Sequence, residues 1–115
     1  MADEALRSSR RSALRFPGND RPVFFRTDYE EGESRLVNIS TGGCAMQKPT
    51  LELQKEQKVL LSLELDEPGQ MVDFQAVVVR LNAELVSLQF LHVEEDIRRR
   101  LVLFFAREAN RRNRA

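Results

Sequence analysis

The sequence contains no tryptophan, one tyrosine, one histidine and one cysteine. Each scarcity removes a class of function. Cys44 has no intramolecular partner, so no disulfide framework operates, and a reducing cytoplasm is the natural compartment. His92, without Cys, His or Asp neighbours at ligand spacing, gives no metal site and reads as an ordinary residue at a strand–helix junction. With one Tyr and no Trp there is little material for the base-stacking platforms of single-stranded nucleic-acid binders. The longest apolar run near the C-terminus, Leu101–Ala106, has six residues, where a membrane span needs about 20. The opening MADEALRSSRR lacks the apolar stretch of a secretory signal. No nucleophile–base pair and no Gly-rich phosphate loop of the P-loop type is found, so no catalytic residue is assigned and an enzyme is not expected.

What is present is one domain's worth of chain: 115 residues, 42% apolar, enough for a single core. The net charge of zero conceals an uneven distribution. Residues 1–27 carry six Arg against three acids; residues 28–93 carry five bases against eleven acids; residues 94–115 carry seven Arg against four acids. Basic ends around an acidic middle argue against an extended nucleic-acid surface and leave room for a local anion site. Fifteen of the eighteen bases are Arg, whose planar fork suits phosphate or a guanine edge.

Residues 1–20 show no apolar periodicity and end in the turn formers Pro17-Gly18-Asn19-Asp20, which predicts a flexible arginine-rich arm. RPVFFRT reads as a strand, YEEGE as a turn around Gly32, and SRLVNIS and CAMQ as strands joined through TGG. Residues 48–57 read as a loop or a single helical turn. VLLSLEL places Val59, Leu61, Leu63 and Leu65 on one face. DEPGQ supplies a Pro-Gly turn, MVDFQAVVVRL alternates through Val72, Phe74, Ala76 and Val78, and a short NAE turn leads into LVSLQFLHV. From Glu94 the period becomes helical: Ile97, Leu101, Phe104, Phe105 and Ala109 form a stripe, with acids at the start and arginines at the end to complement the helix dipole. The expected fold is mainly β: a six-stranded antiparallel barrel over residues 21–93, with a flexible arm (1–20) and a C-terminal helix (94–115).

Two short motifs stand out. RRSALR contains Arg11 and Arg15 at RxxxR spacing, preceded by Arg10; NISTGG contains Asn38, Ser40 and Gly43 at NxSxxG spacing. Alone, the second is ordinary turn chemistry, and RxxxR spacing also occurs at Arg7/Arg11 and Arg107/Arg111. In this order, with one strand between them, they resemble the two motifs of the PilZ domain family, receptors for cyclic di-GMP. The resemblance covers nearly the whole chain. One departure is Ser87, where many members have Gly in the GxxF of the last strand; another is Asn38 in place of the commoner Asp.

The resemblance implies a non-enzymatic cytoplasmic receptor or adaptor with cyclic di-GMP as ligand, no cofactor, and an unidentified downstream protein as partner. Arg10, Arg11 and Arg15 would grip phosphate or guanine O6 and N7. Asn38 and Ser40 would accept from guanine N–H groups. Gly42 and Gly43 would let the backbone take unusual dihedrals and come close to the base, and Arg80 is a weaker candidate. The arm would close over the ligand. Arg10, by the same resemblance, implies an intercalated pair of ligands per chain. An alternative is a ligand-independent PilZ-like interaction subunit in pilus or flagellar control. Asn38 and Ser40 share parity with Leu36, which favours an inward face; a bulge or the strand's end is needed to aim them outward.

Overall fold

The computed structural model describes residues 15–65 and 70–114, the last three as backbone only. Arg10, Arg11 and the Asp66–Gly69 turn lie outside these residues. The strands are β1 (Phe16–Pro17), β2 (Pro22–Arg26), β3 (Glu31–Ile39), β4 (Gly43–Gln47), β5 (Lys58–Glu64), β6 (Met71–Asn82) and β7 (Leu85–His92), followed by helix α1 (Glu95–Arg114). Every pairing is antiparallel. The order is β1-β3-β2-β5-β6-β7-β4, and β3–β4 pairing closes β2 to β7 into the expected six-stranded barrel. No described helix is long and apolar enough to cross a membrane.

The alternation read from sequence fills the barrel. Val59, Leu61, Leu63 and Leu65 are buried, as are Val72, Phe74, Ala76 and Val78. Phe74 stacks on Phe90 with ring centroids 5.0 Å apart. From the helical stripe, Leu101 and Phe105 are buried, and Ile97, Phe104 and Ala109 pack partly against the core. Glu94 carries the first turn, its carbonyl accepting from the Arg98 N–H at 2.9 Å.

The chain also departs from the sequence reading. Gly32 is no turn residue: it lies in β3 opposite Phe25. A Cβ there would come 2.5 Å from the Phe25 ring, so the ring covers the glycine and fixes the register. The turn falls earlier, at Thr27–Glu30, where the Thr27 hydroxyl accepts from the N–H groups of Tyr29 and Glu30. A seventh strand, β1, lies outside the closure. It pairs with Asn38 and Ile39 just beyond the point where β2 leaves β3. Between β1 and β2, residues 18–21 loop out. Arg21 N–H donates to the Gly18 carbonyl at 3.1 Å, and Asn19 and Asp20 take left-handed φ of 56° and 59°, a conformation these two residue types tolerate.

The loop-out fastens the helix. The Arg21 guanidinium meets Glu108 at 2.6 Å, donates to the Glu64 carbonyl at 3.1 Å and lies 4.7 Å over the Phe104 ring. Beside it, Phe16 stacks on Phe105 at 6.3 Å.

The β6–β7 turn offers a test. Ala83 is held at φ 56° between the paired residues Asn82 and Leu85, a left-handed position where glycine carries no Cβ penalty. Ala83→Gly is expected to stabilise the fold by about 1 kcal/mol, a rise in Tm of a few degrees by calorimetry. An unchanged or lower Tm contradicts that assignment of strain.

Candidate functional site

The bulge that the sequence pattern calls for is present. Leu36 pairs with Met46 and Asn38 with Ala45, so Val37 is an extra residue on β3. Its insertion keeps Leu36 and Ile39 both in the core at 1% exposure while Asn38 between them faces outward. A two-residue alternation cannot do this without an inserted residue.

Asn38 then meets the base of the arm. One terminal nitrogen of Arg15 donates to Asn38 Oδ1 at 2.9 Å. The first and second motifs are thus in direct contact at one residue each, and the guanidinium has further N–H donors to offer. Ser40, Gly42 and Gly43 form the turn that follows. Ser40 N–H donates to the Gly43 carbonyl at 2.8 Å, its Oγ accepts from Gly42 N–H at 3.3 Å, and the same hydroxyl donates to the Gly43 carbonyl at 3.3 Å. The Gly42 carbonyl accepts from Phe90 N–H at 2.9 Å, tying the turn to β7.

Neither glycine takes a left-handed φ, which corrects the expectation of unusual dihedrals. Gly43 is demanded by proximity, since a Cβ would overlap the Leu88 carbonyl; Gly42 has open space around it. Arg80 is exposed on β6 opposite Ser87, beyond a second register shift that leaves Val79 extra.

Register joins these positions. Asn38 pairs with Ala45, Ala45 with Ser87 and Ser87 with Arg80. Directly paired residues share a face, and the row runs between neighbours such as Cys44, Met46, Val86 and Leu88 that point inward; Arg80 is exposed and Asn38 and Ser87 are half-buried, while Ala45 is itself buried at 7% exposure. The row runs across β3, β4, β7 and β6, three inter-strand steps or about 14 Å along the wall. It has a hydrogen-bonding amide at one end, a guanidinium at the other and two small side chains between. Ala45 and Ser87 are the members that sequence reasoning missed. Ser87 was visible only as a departure from a glycine, and Ala45 carried no signal without the register.

Cys44, next to the motif turn, is buried in the core. Burial pushes its thiol from the ordinary 9.0 up to about 12, with the Arg15 charge opposing. It is therefore a packed side chain at neutral pH rather than a thiolate.

A family model described as PilZ domain matches residues 7–107. The chain belongs to the PilZ domain family. The fold agrees with that of solved PilZ structures. The PilZ domain with c-di-GMP of YcgR from Escherichia coli has a TM-score of 0.67 at 22% identity, covering 90% of this chain and 97% of that one. The Bacillus subtilis inhibitor of motility, MotI/DgrA, gives 0.73 at 22% identity, covering 89% of this chain and 52% of that one. The PilZ domain of CeSA from a cellulose-synthesizing bacterium gives 0.65 at 18% identity, covering 84% and 99%. At these identities the likeness is one of fold. No curated protein matches the sequence.

Two outcomes follow for the motif turn of this PilZ domain. Gly43→Ala is expected to destabilise by about 1–3 kcal/mol, read by denaturant unfolding, because the strand β7 backbone has to move aside. For Cys44 the sign follows from its raised folded-state pKa. The protonated thiol is favoured in the fold, so its contribution is intact below pH 9 and is lost as pH rises toward 12. The unfolding free energy is expected to fall by up to about 1.4 kcal/mol per pH unit in that window, and Cys44→Ala should lack this component of the slope.

Proposed function

We propose that this PilZ domain is a receptor for cyclic di-GMP that signals to a partner protein. The observation that carries the reading is the 2.9 Å contact between Arg15 and Asn38, which joins the arginine motif to the NxSxxG turn on the outer wall. The row toward Arg80 adds a second guanidinium at its far end. A cyclic dinucleotide brings two phosphates and two guanine edges, and both are matched by Arg forks. Between the two ends a base would rest mainly against the small, half-buried Ser87, since Ala45 is buried. Ser40 has its hydroxyl committed within the turn, so its part is to shape the turn, and Asn38 is the acceptor at the site.

In this reading Arg10 and Arg11 join Arg15 around the ligand, and two intercalated ligands occupy each chain. The closed arm changes the surface that a downstream partner meets. The receptor works in the cytoplasm, without catalysis. Support comes from the family, and from the relative in Escherichia coli whose PilZ structure was solved with c-di-GMP.

Calorimetric titration tests it. Cyclic di-GMP should bind at micromolar or tighter concentration with two ligands per chain, and GTP and cyclic di-AMP should give no heat. Arg15→Ala removes charge-assisted hydrogen bonds worth about 1.5–3 kcal/mol, a loss of about ten- to a hundredfold in affinity. Saturation at one ligand per chain removes the intercalated pair, and unchanged hydrogen exchange across residues 5–15 removes arm closure. Absence of binding removes the receptor reading and favours a ligand-independent interaction subunit.

A further inference from the structure

Away from the Asn38–Arg80 row, the outer wall of β2, β5, β6 and β7 carries two hollows, of about 480 and 270 Å³, which meet at Leu60 and Gln75. Together they form one groove with unlike ends. At one end stand Arg26 and Lys58, with Asp28 beside them. At the other stand Asp73 and Glu94, with His92 beside them. The side chains of Arg26 and Lys58 make no ion pair among the described residues, and neither does that of Glu94. Asp73 accepts a hydrogen bond from Ser62 at 2.6 Å and pairs with no cation among those residues.

The same wall also carries exposed apolar side chains. Phe24, Met71 and Leu91, three of the seven exposed large apolar side chains among the described residues, stand on it at 42%, 41% and 46% exposure. Leu91 is there because of a bulge: Gln75 pairs with His92 and Ala76 with Phe90, leaving Leu91 as the extra residue of β7. Without the insertion a strand would not place an apolar side chain beside the outward pair Gln75–His92. Bulges re-aim side chains in this way, and apolar groups so displayed mark contact surfaces.

We infer that this groove is a self-association surface, and that its occupant is a second copy of this chain. Charge complementarity about a centre favours this occupant. A two-fold axis lying in the interface plane and crossing the groove at Leu60 and Gln75 sets the Arg26/Lys58 end of one copy against the Asp73/Glu94 end of the other, twice over. Such a contact is isologous and closes as a dimer. Leu91 and Leu60 supply the apolar centre, while the unpaired charges at the two ends fix the orientation. The surface does not include the Asn38–Arg80 row, so the dimer does not rest on the ligand reading.

Sedimentation velocity of the full chain over a range of concentrations tests this, at low and at high salt. A concentration-dependent dimer, weaker at high salt, is expected. Lys58→Glu and Glu94→Lys should each weaken it about tenfold or more, because each sets like charges together. The two substitutions combined in one chain should restore it. Leu91→Asp should give monomer with an unchanged thermal midpoint, which shows that the exposed position is not needed for folding. A wild-type chain that is monomeric throughout overturns the proposal. So does a dimer indifferent to Leu91→Asp and to both charge reversals, which would join through another surface, and so does a double variant that stays monomeric.

Discussion

One inserted residue, Val37, governs how this barrel presents its chemistry. A strand in a closed barrel has half its side chains committed to the core, and β3 needs Leu36 and Ile39 inside. With strict alternation only one of them can be. The extra residue satisfies both and turns Asn38 outward, opposite Ala45. The cost is a local break in the ladder between β3 and β4, and part of it is recovered on the other edge of β3. There the Gly18 N–H donates to the Val37 carbonyl at 2.8 Å. Gly18 is required at that place because a Cβ would overlap the Leu36 backbone. The bulge and the start of the loop-out therefore form one unit, and the site sits on its outer side.

The same unit links the site to the helix. Phe16, the residue after Arg15, pairs with Ile39 on one side and stacks on Phe105 on the other. Burying a phenylalanine contributes roughly 1.5–3 kcal/mol, far more than a single exposed hydrogen bond between Arg15 and Asn38 can. So packing, and not the polar contact, holds the root of the arm where Arg15 reaches Asn38. Arg21 adds a second fastening through Glu108, Glu64 and Phe104. Both fastenings fall between Phe16 and Arg21, so β1 and the loop-out share one foundation with the helix.

How far the sequence disclosed this depends on the kind of information involved. Period two in β5 and β6 and the helical stripe of α1 were legible, because burial on one face writes itself directly into composition. The pairing of Arg15 with Asn38 was legible only through the order of two motifs, since neither spacing carries weight alone. Gly32 misled, because a glycine reads locally as a turn and its real partner, the Phe25 ring, comes from the neighbouring strand. The short strand β1, just before residues 18–21, was hidden for a related reason: its pairing partner is β3, some twenty residues on, and Asn19-Asp20 dominates the local signal. Ala45 and Ser87 were hidden because membership of the row is a property of register, which bulges at Val37 and Val79 displace by one residue each. Local chemistry shows through a sequence; cross-strand neighbours do not.

The turn at Ser40–Gly43 shows why the structural and the functional readings of this motif need not compete. Its serine and second glycine are consumed by the fold: the hydroxyl bridges within the turn, and Gly43 permits the β4 and β7 backbones to approach. What remains free is the carbonyl-bearing amide of Asn38 and the guanidinium it holds. An unrestrained arginine loses up to about 2 kcal/mol of rotamer entropy when it is fixed on a ligand. A neutral acceptor that already restrains the fork removes part of that loss, without neutralising the charge as an ion pair would. An aspartate at position 38 would hold Arg15 more strongly and set a negative charge in the site. Asparagine keeps the guanidinium aimed while leaving its full charge available to an anion, so the substitution alters the electrostatics of the site and preserves its geometry.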